Sequence, residues 1–204
     1  AQWQKPFNPQ DSLTTSFGEN EVTYMKKTEV GSYWQDDNYR LGSMEFTDGN
    51  KMVFILPDEN TTTDSLLAGT ELIDDICKGR AIDRYAYNTI NWTVPKFSLI
   101  YEWDLIDCLK NLGVENAFAN NADFSPLTAN SPAFFGGGRQ SVVISVDENG
   151  CESYNLTLNS TGQDIYTPSG EPKTLELTRP FIVMVLTKDN LPLYIGVVEN
   201  PLYQ

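Results

Sequence analysis

A long polar tract separates two strand-like segments in the last third of the sequence, and it limits the folds that this chain can adopt. The segments SVVISV (141–146) and PFIVMVL (180–186) are rich in branched and apolar residues, as buried strands are. Residues 147–179 between them are mostly polar. Structureless loops longer than about 12–15 residues are uncommon in compact domains and are usually functional or disordered. The sequence therefore predicts a long exposed loop carried between two buried strands.

Composition and charge set the class of protein. The 204 residues, 40% of them hydrophobic, suit one globular domain or part of a larger one. The net charge of −14 argues against a nucleic-acid partner, because such binding rests on lysine and arginine neutralising phosphates. The longest apolar run, FIVMVL, is too short to cross a membrane. The sequence begins with neither methionine nor a signal peptide, so we expect the true N-terminus to be missing or trimmed.

The side chains that could act in catalysis or bind a metal do not favour an enzyme. The sequence contains no histidine, which removes the usual neutral-pH base and the commonest metal ligand. Its three cysteines, Cys77, Cys108 and Cys151, are widely spaced and form neither a disulfide framework nor a zinc-binding pattern. We therefore expect a protein that is not an enzyme and that needs no cofactor or metal.

Most of the remaining sequence has the character of strands. Residues 31–46 predict a hairpin around the polar stretch QDDN, and residues 51–57 predict a short buried strand. Residues 61–79 have roughly helical spacing, weakened by Gly69. Residues 104–113 form the strongest helical pattern, with Gly113 as C-cap and one apolar stripe made of Leu105, Cys108, Leu109 and Leu112. The pattern indicates a chain made mostly of strands, with two helical segments.

Seven motifs, taken in order, resemble the C-terminal half of a serpin. They extend over essentially the whole sequence: WQKPF (3–7), FILP (54–57), VPKFSL (94–99), DLIDCLKNLGVENAFANNADFSPL (104–127), VVISVDENGCE (142–152), RPFIVMVL (179–186) and LYIGVVENP (193–201). The resemblance implies that residues 1–204 are the C-terminal part of a single serpin domain. The fold would be α+β and serpin-like but incomplete, with mainly antiparallel β-sheets and a few helices. The missing N-terminal half of the same chain would then be a partner.

The resemblance also implies a function for the polar tract. Residues from about 148 to 179 would be the reactive-centre loop, which a target protease cleaves and which then inserts into the large sheet as a new strand. We expect an extracellular or secreted suicide-substrate inhibitor of a protease, most simply of the serine type, with the cysteine type as a second option. The alternative is a non-inhibitory serpin that acts as a binding or carrier protein.

Individual residues take roles from the same resemblance. In the breach at the top of the large sheet, Trp3 matches the family tryptophan, and Gln140 stands where a histidine is usual. The hinge of the loop comprises Glu148, Gly150, Cys151, Glu152, Ser153, Asn155 and Thr157. On insertion, alternate side chains should face the core, which gives the inward set Cys151, Ser153, Asn155 and Thr157. This hinge has few of the small alanines usual in the family, and a buried Asn155 without partners would cost about 1–3 kcal/mol.

The scissile bond follows from counting along the inserted strand. In the family, the side chain that the protease recognises lies about fourteen residues beyond the hinge glycine, since the strand spans the sheet at about 3.3 Å per residue. From Gly150, the count places the bond between Asp164 and Ile165. The stretch that follows is longer than usual, so Tyr166 and Lys173 are alternatives for the recognised residue.

Overall fold

The computed structural model describes residues 1–79, 87–128, 133–152 and 170–201. The chain divides into two compact units. The first unit consists of Ala1–Leu99 and Ile144–Gln204, and the second consists of Ile100–Val143.

Strands dominate the described residues. Their bounds are β1 Leu13–Phe17, β2 Asn20–Gln35, β3 Tyr39–Glu45, β4 Lys51–Pro57, β5 Tyr87–Pro95, β6 Phe97–Asp104, β7 Arg139–Val146, β8 Cys151–Glu152, β9 Lys173–Glu176, β10 Phe181–Leu186 and β11 Pro192–Val198. An eight-stranded sheet has the order β11-β10-β4-β3-β2-β5-β9, with β1 also paired to β2. A three-stranded sheet has the order β6-β7-β8. Apart from the parallel pair β5–β9, the registered pairs are antiparallel, as the sequence predicts.

Large aromatic side chains form the core of the first unit. Trp92 of β5 meets Phe54 of β4 edge-on, with ring centroids 5.6 Å apart. Phe181 of β10 packs beside Phe54 at 6.5 Å and beside Phe97 at 5.7 Å. Gly42 of β3 admits the Trp92 ring, because a Cβ atom there would lie 2.6 Å from the indole. This packing accounts for the buried runs of β4 and β10, which the sequence predicts as core strands.

The predicted helix over residues 61–79 is two short helices. The first, α1, spans Thr63–Leu67 and begins with a capping box between Thr62 and Ser65. The second, α2, spans Glu71–Cys77. Gly69 lies between them, at the position where the low helix propensity of glycine weakens the sequence pattern.

The helix predicted over residues 104–113 is confirmed as α3, Leu105–Asn111, in the second unit. The Asp104 side chain caps it by accepting from Ile106 N at 2.9 Å. Gly113 ends it with a φ of 88°, which only glycine adopts readily. Its apolar stripe is not a buried face in this unit, since α3 has no buried residue.

The long exposed loop expected over about 148–179 is shorter at both ends. Lys173–Glu176 forms β9, which pairs in parallel with β5 from Ile90 to Thr93. Leu175 and Leu177 are fully buried. Two leucines alternating in a polar tract form only a very short period-2 signal, so the sequence does not predict this strand. At the other end, Glu148 and Cys151 are buried as well.

The described part of the chain contains no helix with the length and hydropathy needed to cross a membrane.

Candidate functional site

The polar tract leaves β7 through a tight hairpin, which we call the hinge turn (Asp147–Gly150). The Asp147 carboxylate accepts from the backbone N–H groups of Asn149 at 2.8 Å and of Gly150 at 3.1 Å. The backbone N–H of Asp147 donates to Gly150 O at 3.0 Å. This closed turn sends β8 back along β7, where Val146 pairs with Cys151 in antiparallel register. The sequence DENG supplies the turn chemistry, because aspartate bonds the backbone two residues on and glycine relieves crowding.

The first residues of the chain lie against the hinge turn; we call Ala1–Phe7 the N-terminal segment. Cys151 N donates to Ala1 O, and Trp3 N donates to Asn149 O, both at 2.9 Å. Gln2 forms an antiparallel bridge with Gly150. A Cβ atom at position 150 would lie 2.8 Å from Gln2 Cα, so the close approach of the two backbones requires glycine.

Trp3 anchors this arrangement. Its side chain is 1% exposed, and its Nε1–H donates to Asp147 O at 2.9 Å. The indole stacks on Phe46, with centroids 4.7 Å apart and planes inclined by 16°, and meets the edge of Phe7 at 6.4 Å. One side chain therefore connects the N-terminal segment, the residue after β3 and the hinge turn.

Glu148, the charged residue of the hinge turn, is buried and paired. Its carboxylate lies 2.7 Å from Lys96 Nζ and accepts from Ser12 Oγ at 3.4 Å. Its backbone O accepts from Phe7 N at 2.9 Å. A buried carboxylate needs such partners, because an unpaired charge away from water is very costly.

Lys27 of β2 connects the N-terminal segment to the eight-stranded sheet. Its Nζ lies 2.9 Å from Glu29 Oε1, donates to Lys5 O at 2.7 Å, and stands over the rings of Phe7 at 4.4 Å and Trp3 at 5.6 Å. Burial lowers the pKa of Lys27, although the Glu29 carboxylate opposes that shift. Burial likewise raises the pKa of Glu29, against the effect of the Lys27 charge.

The structure brings together only some of the residues assigned from sequence. Trp3, Glu148, Gly150 and Cys151 meet at the hinge turn, and Glu152 pairs with Ser145 through the backbone. Cys151 is 2% exposed and pairs with buried Val146.

The other assigned residues lie elsewhere or outside the described residues. Gln140 is exposed at the second position of β7. Lys173 begins β9, where it pairs with Ile90. The residues outside the described ranges are Ser153, Asn155, Thr157, Asp164, Ile165 and Tyr166.

Several residues that build the site are not indicated by the sequence motifs. Phe46, Lys96, Lys27 and Glu29 lie in strands or at their ends, far from the hinge in sequence. One signal was available for Lys27 and Glu29. Two opposite charges two residues apart in a strand share a face of the sheet and can pair there. Among the described residues, no group of three or more potential metal-ligating side chains is gathered.

Comparison with known proteins assigns the family. The family model described as Serpin (serine protease inhibitor) matches residues 1–201, so the chain belongs to the serpin family. An alpha-1-antiproteinase from Callosciurus caniceps is 26% identical over 98% of this chain and 48% of the relative. An alpha-1-antiproteinase from Ovis aries is 25% identical over the same shares of the two chains, 98% and 48%. The chain thus spans about half the length of the curated relatives it matches.

Solved structures agree on the fold. Human thyroxine-binding globulin in complex with thyroxine superposes with a TM-score of 0.79 at 23% identity, over 98% of this chain and 54% of that one. A serpin from the trematode Schistosoma haematobium gives the same values. The predicted incomplete serpin fold, mostly β-sheet with few helices, is confirmed.

Proposed function

We propose that this chain is the C-terminal part of a protease inhibitor that acts as a suicide substrate, through cleavage and insertion of the tract between β8 and β9. The target is a protease, most simply of the serine type. The missing N-terminal half of the same chain completes the large sheet. The catalytic residues belong to the protease, so this protein needs only a cleavable bond and a loop able to insert.

The pairing of β8 is the observation that carries the proposal. Cys151 and Glu152 already run antiparallel to β7, and Ala1 lies on the other side of Cys151. Insertion would lengthen a strand whose first residues are in place and would not have to start a new one. Each further ladder hydrogen bond adds about 0.5–1.5 kcal/mol, so a dozen of them give a large driving force.

Extending the observed register gives the inserted strand specific neighbours. Ser145 pairs with Glu152 and Val146 with Cys151. The same register would set Ser153 opposite buried Ile144, and Asn155 opposite Val142. Ser153 and Asn155 are small or modest side chains, and such side chains suit a strand that must enter a closed sheet.

Gln140 acquires a role in this register. It would stand diagonally across from Asn155, and such diagonal neighbours lie about 7–8 Å apart, within reach of a long side chain. An amide–amide hydrogen bond would then partner the buried Asn155, whose isolated burial would be costly. The two departures from the family pattern, Gln140 and Asn155, would thereby compensate each other.

The second candidate is a non-inhibitory serpin that acts as a binding or carrier protein. The human thyroxine-binding globulin structure holds thyroxine on the same fold. The hinge of the present chain, with Tyr154 and Leu156 where alanines are usual, is also less suited to rapid insertion. Curated relatives named as antiproteinases and as a serine protease inhibitor favour the inhibitor. We extend the proposal to a secreted, extracellular setting and to a protein without enzymatic activity.

Trapping of a protease tests the function directly. The full-length protein that contains this chain is incubated with a panel of serine and cysteine proteases and analysed on a denaturing gel. A band near the summed masses that survives boiling is the expected result, because the acyl-enzyme is covalent. Cleavage by every protease that attacks the protein, without such a band, would refute the inhibitor function and leave the carrier alternative.

The scissile bond is a separate prediction. We expect cleavage between Asp164 and Ile165, which gives a new N-terminus at Ile165 on sequencing of the cleaved protein. An acidic recognised residue suits a protease whose specificity pocket carries positive charge. Asp164→Asn should slow trapping by such a protease, whereas Asp189→Asn, in the turn between β10 and β11, should leave the rate unchanged.

Other new N-termini would place the scissile bond at a different position. Thr167 would assign recognition to Tyr166, and Thr174 would assign it to Lys173. Cleavage after Lys173 would require a protease to reach the first residues of β9, which are paired with Ile90 and Asn91. An extended, unpaired segment suits a protease better, so this pairing argues against Lys173.

A further inference from the structure

We propose that Lys27 is a positioning residue that fixes the N-terminal segment onto the hinge turn and so controls how freely Cys151 and β8 detach from it. The first part of the proposal is independent of the function proposed above. Its consequence for protease trapping rests on that function.

The contacts of Lys27 point to this role, because its ammonium group makes three separate contacts with the N-terminal segment. It donates to Lys5 O at 2.7 Å and stands over the rings of Phe7 at 4.4 Å and Trp3 at 5.6 Å. Cations attract aromatic faces most strongly when both are shielded from water, and the Lys27 side chain is only 10% exposed.

Two residues of the N-terminal segment that Lys27 contacts, Phe7 and Trp3, also bind the hinge turn. Phe7 N donates to Glu148 O at 2.9 Å. Trp3 donates twice, from its backbone N to Asn149 O and from its Nε1 to Asp147 O, each at 2.9 Å. The path from Lys27 to the hinge therefore consists of direct contacts through Phe7 and Trp3.

Glu29 serves a different purpose from Lys27. Its carboxylate is bound to Lys27 at 2.9 Å and is itself 11% exposed, so it compensates the charge that the site buries. Removing Lys27 alone would leave Glu29 buried without its partner and would weaken the whole fold. Replacing both residues by apolar ones of similar size removes that burden, and only the contacts with the N-terminal segment are then lost.

Alkylation of Cys151 measures hinge detachment before any protease is added. The Cys151 side chain is 2% exposed, so its thiol reacts only when the hinge opens. Cys108 is exposed, so its alkylation rate measures the reactivity of the reagent towards an accessible thiol. The full-length protein is treated with iodoacetamide, and the modification of each cysteine is followed by peptide mass spectrometry. The wild-type ratio of the two rates is the reference.

The double variant Lys27→Met/Glu29→Leu should alkylate at Cys151 about ten- to a hundredfold faster than wild type, the size expected for losing a cation–π contact and a charge-assisted hydrogen bond. Lys27→Arg, which keeps the cation, should stay within about threefold of wild type. Lys26→Met is the matched control, because neighbouring strand residues point to opposite faces. It should leave the rate unchanged.

Amide exchange in β4, whose Phe54 and Ile55 are fully buried, supplies the reference for global opening. The proposal predicts unchanged protection there in the double variant. A wild-type Cys151 rate in that variant would overturn it. So would an equal acceleration in Lys26→Met, or a loss of β4 protection by the same factor.

Trapping adds the functional consequence. If the inhibitor function holds, the double variant should consume more inhibitor molecules for each protease trapped, because the preformed start of the inserting strand is lost. A protein that traps no protease in any form would refute the inhibitor function and would leave the alkylation result standing. Faster alkylation with unchanged trapping by an inhibitory protein would overturn the consequence for trapping alone.

Discussion

Replacing Trp3 by alanine is expected to lower the free energy of unfolding by about 3–5 kcal/mol, the usual cost of removing a buried aromatic side chain. The indole is 1% exposed and stacks on Phe46 at 4.7 Å. The variant would also leave Asp147 O without the N–H that it accepts at 2.9 Å. Denaturant unfolding of the full-length protein, followed through the first unfolding transition, measures the change.

Two further tryptophan variants make this prediction specific. Trp34→Ala removes an indole that is 42% exposed, and we expect it to cost less than about 1 kcal/mol. Trp3→Phe keeps an aromatic ring but loses the Nε1–H bond to Asp147 O, which should cost about 1–2 kcal/mol. Equal losses in Trp3→Ala and Trp34→Ala would contradict the anchoring role of Trp3.

The sequence was sufficient where the physical signal is local. The hairpin of β2 and β3, the buried strands β4 and β10, and the cap and end of α3 all rest on contacts within a short stretch. The hinge turn also contains local contacts, since the Asp147 carboxylate accepts from Asn149 N and Gly150 N, but the hinge itself was identified through the resemblance. Resemblance to the serpins then supplied the overall fold, an incomplete serpin-like α+β architecture, which no local pattern encodes.

The missed parts of the site depend on contacts between distant residues. Lys27 acquires its role from Lys5 and Phe7, and Glu148 depends on Lys96 of the segment between β5 and β6. A charged residue in a strand usually lies on a solvent-exposed face, so composition alone favours an exposed position for Lys27. Pairing in three dimensions reverses that interpretation.

The strand β9 was missed for a related reason. Its partner β5 is about eighty residues earlier in the sequence and pairs in parallel, so no hairpin turn in the sequence indicates the pairing. Only Leu175 and Leu177 mark the buried side. The consequence is functional, because β9 fixes the far end of the tract that we propose to insert.

The hinge itself provides the sharpest test of insertion. Cys151 is already enclosed, with its backbone bound to Ala1 O at 2.9 Å and its side chain 2% exposed beside the β7 strand. In the proposed insertion, residue 151 would therefore stay on the buried face. A charged side chain at this position would either be buried or turn outward with β8 displaced from β7. Insertion requires the buried arrangement, in which an unpaired charge costs several kcal/mol.

We therefore expect Cys151→Arg in the full-length protein to abolish trapping while cleavage of the loop continues, because the proposed scissile bond between Asp164 and Ile165 is far from residue 151 in sequence. The denaturing gel should show cleaved inhibitor and free protease but no boiling-resistant band. Cys151→Ser, of similar size and uncharged, is the matched control and should still trap the protease. Unchanged trapping by Cys151→Arg would mean that residue 151 leaves the core face on insertion, so the inserted strand would not continue the register that pairs Val146 with Cys151.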